Sequence, residues 1–163
     1  MRILSLAGVA LLASATAVFA APASVNVAIG QKLQAKAAKT YGVRETAFLA
    51  DDLRASIEKA VARTGAQDGA RIDLTIVDAV PNRPTFKQLG DTPGLSMQSF
   101  GIGGAKIEGT VTGADGTVTP VSYKYYENDI VQASWAASTW SDAQWAFDKL
   151  GRKLALGREV ASR

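Results

Sequence analysis

The chain has 163 residues, 47% of them hydrophobic and 20% charged, with a formal charge of +3 and neither histidine nor cysteine. That composition suits one globular domain with its own core and is too apolar for a disordered chain. The two missing residue types exclude disulfides, a cysteine nucleophile, a Ser-His-Asp triad, zinc sites built from His or Cys, and a lipid carried on an N-terminal cysteine.

Residues 1–20 read as a cleaved secretory signal peptide. Arg2 is the only charge before Lys32, Ile3 to Ala20 is rich in Leu, Ala and Val, and Val18-Phe19-Ala20 supplies an A-x-A-like end. The rival reading is an uncleaved anchor, because the charge-free stretch from Ile3 to Gln31 is long enough to span a bilayer. Ala, Ser and Thr dilute it after Leu12, and Pro22 and Asn26 interrupt it, which favours cleavage. Residues 21–163 are then expected to form a single α+β domain, periplasmic or secreted, with no membrane span after the signal.

Ser24 to Ile29 alternates apolar with smaller or polar residues and predicts a strand. Gln31 to Thr40 is helix-prone. Leu49, Leu53, Ile57 and Val61 recur every four residues and predict an amphipathic helix from about Arg44 to Arg63. Arg71 to Val80 alternates as a strand with one wet face. Pro81 to Met97 reads as a long irregular connection, of the kind that is often functional when ordered. Strand character resumes from Gln98 to Thr112, a Gly113-Ala114-Asp115-Gly116 turn follows, and Thr117 to Tyr126 returns. Ile130 to Trp135 is read as a last short strand. Ser141-Asp142-Ala143-Gln144 matches a capping box, and Ala143, Ala146, Phe147, Leu150 and Leu154 follow helical spacing behind it. The expected fold is an antiparallel sheet of about four strands with two main helices on one face.

Several segments together resemble a known group. They are Leu49-Ala50-Asp51-Asp52-Leu53-Arg54, Asp78-Ala79-Val80-Pro81-Asn82-Arg83, the block from Gly101 to Gly109, and the Gly113–Gly116 turn before a closing helix. This layout resembles exported bacterial envelope domains of unknown function, many of them lipoproteins, over about two-thirds of the chain. The resemblance implies an envelope location and an α+β fold, and no catalytic residue. Lacking the lipid-bearing cysteine, this chain would be free in the periplasm or secreted.

No motif marks a cofactor, a metal or a specific nucleic-acid contact. Gly101-Ile102-Gly103-Gly104 does not open a helix and lacks the Gly-Lys-Ser/Thr of a phosphate loop, so close packing explains it better. Asp51 and Asp52 diverge by about 100° on a helix. Asp73 and Asp78 fall on opposite sides of a regular strand. Ser96 or Ser99 with Lys106 makes a conceivable dyad that nothing selects.

Three features remain as candidate sites. The Pro-stiffened loop presents Asn82 and Arg83 to a ligand, with Arg83 suited to a carboxylate or phosphate, or else Arg83 ties the loop to backbone carbonyls. Among the tryptophans, Trp135 and Trp140 are candidates for a ligand surface, with burial as the alternative, and Trp145 is expected to pack. Charge is unevenly divided: Lys32, Lys36, Lys39 and Arg44 precede every acid, five bases including Arg152 and Lys153 stand against Glu159 at the end, and the middle is acidic. If the two basic ends meet, they form one cationic surface for an anionic envelope component or acidic partner; otherwise they are solvated helix faces. The leading expectation is a non-enzymatic binding module. The alternatives are a glycan-directed hydrolase or glycan-binding module using carboxylates and the tryptophans, and a subunit whose strand edge pairs with another chain.

Overall fold

A computed structural model describes residues 23–158 and Val160. The expected signal segment lies outside the described residues. The chain enters through β1 (Ser24–Ile29), then α1 (Gln31–Lys36), which continues as a π-helical turn over Ala37–Tyr41. The long α2 (Val43–Ala62) leads to β2 (Arg71–Val80) and the short α3 (Phe86–Asp91). The hairpin β3 (Gly104–Thr112) and β4 (Val118–Tyr126) follows, then α4 (Ile130–Ser134) and α5 (Ser141–Ala155).

The four strands form one sheet in the order β1-β2-β3-β4. The fold is α+β and the sheet mostly antiparallel, with one departure from the expected pattern: β1 pairs with β2 in parallel. The helical connection between them explains this. A chain that crosses back over the sheet through α2 re-enters β2 in the direction it left β1, and parallel pairing needs such a crossover.

One face of the sheet is greasy and covered. Ile72, Leu74, Ile76, Ala79, Ala105, Ile107 and Val121 meet the α2 stripe of Leu49, Leu53, Ile57 and Val61 and the α5 stripe of Ala143, Ala146, Phe147, Leu150 and Leu154. Both stripes are those the spacing predicts. The opposite face carries exposed or half-buried Asn26, Arg71, Asp73, Lys106, Glu108 and Lys124.

The two helices lie side by side and run the same way. Trp140 meets Glu45 at their starts, Ser56 donates to Asp148 at 3.2 Å midway, and Gln67, just beyond α2, donates to the Leu154 carbonyl at 3.0 Å. Gly151 lets them approach. A Cβ there would stand 3.0 Å from the Ser56 carbonyl oxygen and 3.1 Å from the Ala60 methyl.

Four local expectations are corrected. Ile130 to Ser134 is helix, because Asp129 accepts from the Val131 amide at 2.8 Å and starts a turn. Gln98 to Gly103 lies outside the ladder, because the amides of Gly101 and Gly103 are bonded elsewhere. The connection after Pro81 is not wholly irregular. Thr85 and Gln88 form a reciprocal capping box that starts α3. The box expected at Ser141 is absent: Trp140 is the cap residue, while Ser141 and Gln144 bond to Ser138 instead.

Asp52 sits awkwardly between the helices. Its Oδ2 is buried without a hydrogen-bond partner. Burial pushes its pKa above the ordinary 3.8 and the nearby Asp148 charge adds to that, against the opposing effect of Gln144. A carboxyl with a raised folded pKa penalises the native state where it is ionised, and not where both states are protonated. Asp52→Asn is therefore expected to raise the urea midpoint at pH 7, with the gain vanishing as pH falls below the aspartate range. A gain that persists at low pH would contradict this origin.

Candidate functional site

The loop after β2 is built around a buried amide. Asn82 is 1% exposed. Its amide N–H donates to the Thr139 carbonyl at 2.7 Å, and its carbonyl accepts from the Gly101 amide at 2.8 Å. Its side chain donates to the Asp142 carboxylate and, at 3.3 Å, to the Gly101 carbonyl. In return its Oδ1 accepts from the Asp142 amide at 2.7 Å. The same carboxylate accepts from the Gly103 amide at 3.0 Å. A Cβ on Gly103 would lie 2.6 Å from Asn82 Oδ1, so only glycine permits this close approach. Every polar group of the Asn82 side chain is thus used internally, which leaves none for a ligand.

Arg83 is spent in the same way. Its Nε donates to the Ala136 carbonyl at 2.7 Å and Nη2 to that of Ser134 at 3.1 Å, while Nη1 reaches Gln98 at 3.3 Å and Met97 at 3.4 Å. Of the two roles open in the sequence, the guanidinium takes the carbonyl-binding one. It clamps the segment after α3 to α4.

Trp140 is 2% exposed, and its ring edge packs on Tyr41 with centroids 5.6 Å apart at 84°. Its indole N–H donates to Glu45 Oε2 at 2.6 Å. Trp140 nevertheless forms part of a groove of about 260 Å³, lined by Glu45, Phe48, Pro84, Phe86, Met97 and Gln144 among others. Phe86 is 82% and Met97 60% exposed, and Phe48 is nearly half exposed. Large apolar side chains held in water around a concave site are the usual mark of a binding surface. Arg83 and Asn82 line a second, shallower cavity across Pro84.

Sequence reasoning missed Phe48 and Phe86. Phe48 precedes the Leu49 stripe by one residue and so points off the buried face, a signal that was available. Phe86 follows a proline-stiffened loop whose course was not readable.

Trp135 is 70% exposed but does not line the groove, and Trp145, expected to pack, is 48% exposed. Trp145 belongs to a ridge where α5 flanks β4. Lys149 Nζ lies 4.1 Å from the Tyr125 ring centroid and 5.3 Å from that of Trp145. Arg152 lies 5.5 Å from Trp145, and Lys153 5.0 Å from Tyr123. Burial, followed by the hydrogen bond to Glu127, pushes the Tyr125 hydroxyl up to about 12, so it is neutral beside Lys149 at physiological pH.

Among the described residues the two basic segments lie apart. Lys32, Lys39 and Arg44 are exposed around the start of α2, where Lys36 pairs with Asp78 at 3.2 Å. Arg152 borders Lys59 and Arg63 at the other end of that helix. Twenty residues of α2 span about 30 Å. Charges so separated are screened from one another at physiological salt. The condition for one cationic surface is not met among the described residues, which form two patches because parallel α2 and α5 hold the segments at opposite ends.

Among the described residues no three acidic, His or Cys side chains gather as a metal site. Glu45 is the one carboxylate among the described residues that line the groove, whereas carboxylate-pair hydrolysis needs two facing each other. No protein-family model matches the chain, and no curated protein matches it.

Asn82→Ala removes the donor to Asp142 and leaves that carboxylate without its side-chain partner. The expected cost is about 2 kcal/mol in urea unfolding at pH 7, the range for a hydrogen bond to a charged group. Asn82→Asp would set two carboxylates together, and its deficit should shrink as pH is lowered. A cost for Asn82→Ala below about 1 kcal/mol would show that the pair carries little.

Proposed function

We propose that the protein is an exported, non-enzymatic binding module of the periplasm or extracellular space, whose groove takes an apolar segment of a protein partner. Export is supported by the basic, apolar and A-x-A-like order of residues 1–20 and by the resemblance to envelope domains. Binding is supported above all by the exposed Phe86, Phe48 and Met97 around the groove floored by Trp140. Hydration of such side chains is unfavourable unless a partner covers them. Among the described residues Glu45 is the only charged side chain lining the groove, and one of its oxygens faces the Trp140 indole. A segment with an aromatic or aliphatic side chain beside a lysine or arginine complements that arrangement. The partner's cation would meet the remaining Glu45 lone pairs while its apolar body covers Phe86.

A second reading follows from the ridge of Trp145, Lys149, Arg152 and Lys153. Cations seated on aromatic faces beside an exposed tryptophan suit an anionic envelope component, such as a phosphate-bearing lipid surface. This retains Arg152 and Lys153 from the expected electrostatic surface and leaves Lys32, Lys36, Lys39 and Arg44 outside it.

The test is selection of a displayed random-peptide library on the purified protein, with the Phe86→Ser variant as comparison. Phe86 is so exposed that its loss should not disturb the fold. Enriched peptides are expected to pair an aromatic or aliphatic residue with Lys or Arg, and to bind the variant roughly tenfold more weakly, the worth of one buried aromatic contact. Peptides indifferent to Phe86→Ser would remove the groove. Salt-sensitive retention on anionic vesicles, lost on Trp145→Ala, would move the function to the ridge.

A further inference from the structure

The two edges of the sheet are not alike. At β4 the edge is blunted: Pro120 lacks an amide proton, Lys124 is exposed, and the Ser122 amide donates to the Val160 carbonyl at 2.6 Å. Proline, lysine and a covering segment are the usual protections of an edge strand. At β1 none of these is present among the described residues. Ser24 to Ile29 reads Ser-Val-Asn-Val-Ala-Ile, without charge or proline, and its pairing with β2 has no register shift.

The parallel register fixes which backbone groups β1 leaves free. Ser24 donates to the Ala70 carbonyl at 2.9 Å and Gly30 to that of Ile76 at 2.9 Å. Even-numbered residues of β1 therefore turn their amides and carbonyls toward β2. Those of Val25, Val27 and Ile29 point outward, away from the sheet. Beside them Ala23, Val27 and Ile29 are only partly buried against the core. A cavity of about 270 Å³ also opens between Ala23, at the start of β1, and Glu58, Val61 and Ala62 of α2.

We infer that this edge pairs with the same edge of a second copy of the chain, antiparallel and centred on Val27. A twofold axis there sets Val27 opposite Val27 of the second copy, and Val25 opposite Ile29 in both directions. That register satisfies the outward groups of all these residues at once. It also keeps Val25, Val27 and Ile29 on the helix-covered face and Ser24, Asn26 and Ala28 on the open one. A one-residue slip would put apolar and polar sides together. The strand carries no charge, so self-pairing brings no like charges into contact. The half-buried Val27 and Ile29 side chains would be covered by their symmetry equivalents, and the two sheets would become one continuous sheet. An isologous pairing of this kind closes on itself, which ends growth at the dimer.

The test is the mass of the purified protein in solution across a concentration series, by sedimentation equilibrium. A dimer is expected. Val27→Pro should give a monomer with an unchanged far-ultraviolet spectrum, because the amide it removes does not serve β2. Ala28→Lys provides a second route, since Ala28 is exposed and its replacement cannot unbury the core. It should raise the dimer dissociation constant roughly tenfold at low salt through like-charge repulsion across the axis, and less at high salt. A wild-type protein monomeric at every concentration would overturn the inference, as would a dimer unaffected by both substitutions.

Discussion

A buried amide facing a half-buried carboxylate holds this molecule's functional end together. Asn82 leaves β2 through a proline-rich loop, and Asp142 lies in the first turn of α5. Their reciprocal hydrogen bonds join two parts of the chain 60 residues apart. The Gly103 amide bonds the same carboxylate, so three segments share one anion. The anion also sits at the positive end of α5, where the helix dipole favours it. Because buried polar groups are costly when unpaired, the arrangement is close to all-or-none. Arg83 then clamps the neighbouring carbonyls, and Pro84, Phe86 and Met97 are left standing around Trp140. The groove is a consequence of how the loop is fastened.

The crossover from β1 to β2 has equally wide effects. By making that pair parallel it leaves the middle of α2 between the basic segments, and so divides the charge. It also places β1 at one margin of the sheet, with no strand beyond it among the described residues. The uneven charge of the chain therefore yields a local ridge at α5 rather than a general cationic face. Aromatic rings, Tyr123, Tyr125 and Trp145, set where that ridge lies.

Periodic features were legible in the sequence, since burial of a helix stripe or a strand face depends on local spacing. Leu49 to Val61 and Ala143 to Leu154 show this. Features that depend on a distant partner were not. Ile130 to Ser134 has a strand-like composition, but an aspartate cap makes it a helix. Asn82 and Arg83 stood out in the sequence as candidate ligand contacts, yet the same fork of Arg83 donors suits a ligand anion and a set of carbonyls equally. Only the position of Ala136, Ser134 and Gln98 decides between them. The tryptophans illustrate the same limit. Trp140 and Trp145 are five residues apart in the chain, and their opposite exposures follow from Tyr41 and Glu45, far upstream.

The most direct measurement of this account is amide hydrogen exchange at Asn82, Gly101, Gly103 and Asp142. If the amide–carboxylate pair fastens the loop, these amides exchange as slowly as those of buried strand residues such as Ile107, despite lying outside regular ladders. Exchange as fast as at the exposed residues around Met97 would mean that the loop opens independently. The groove would then not be held by this pair.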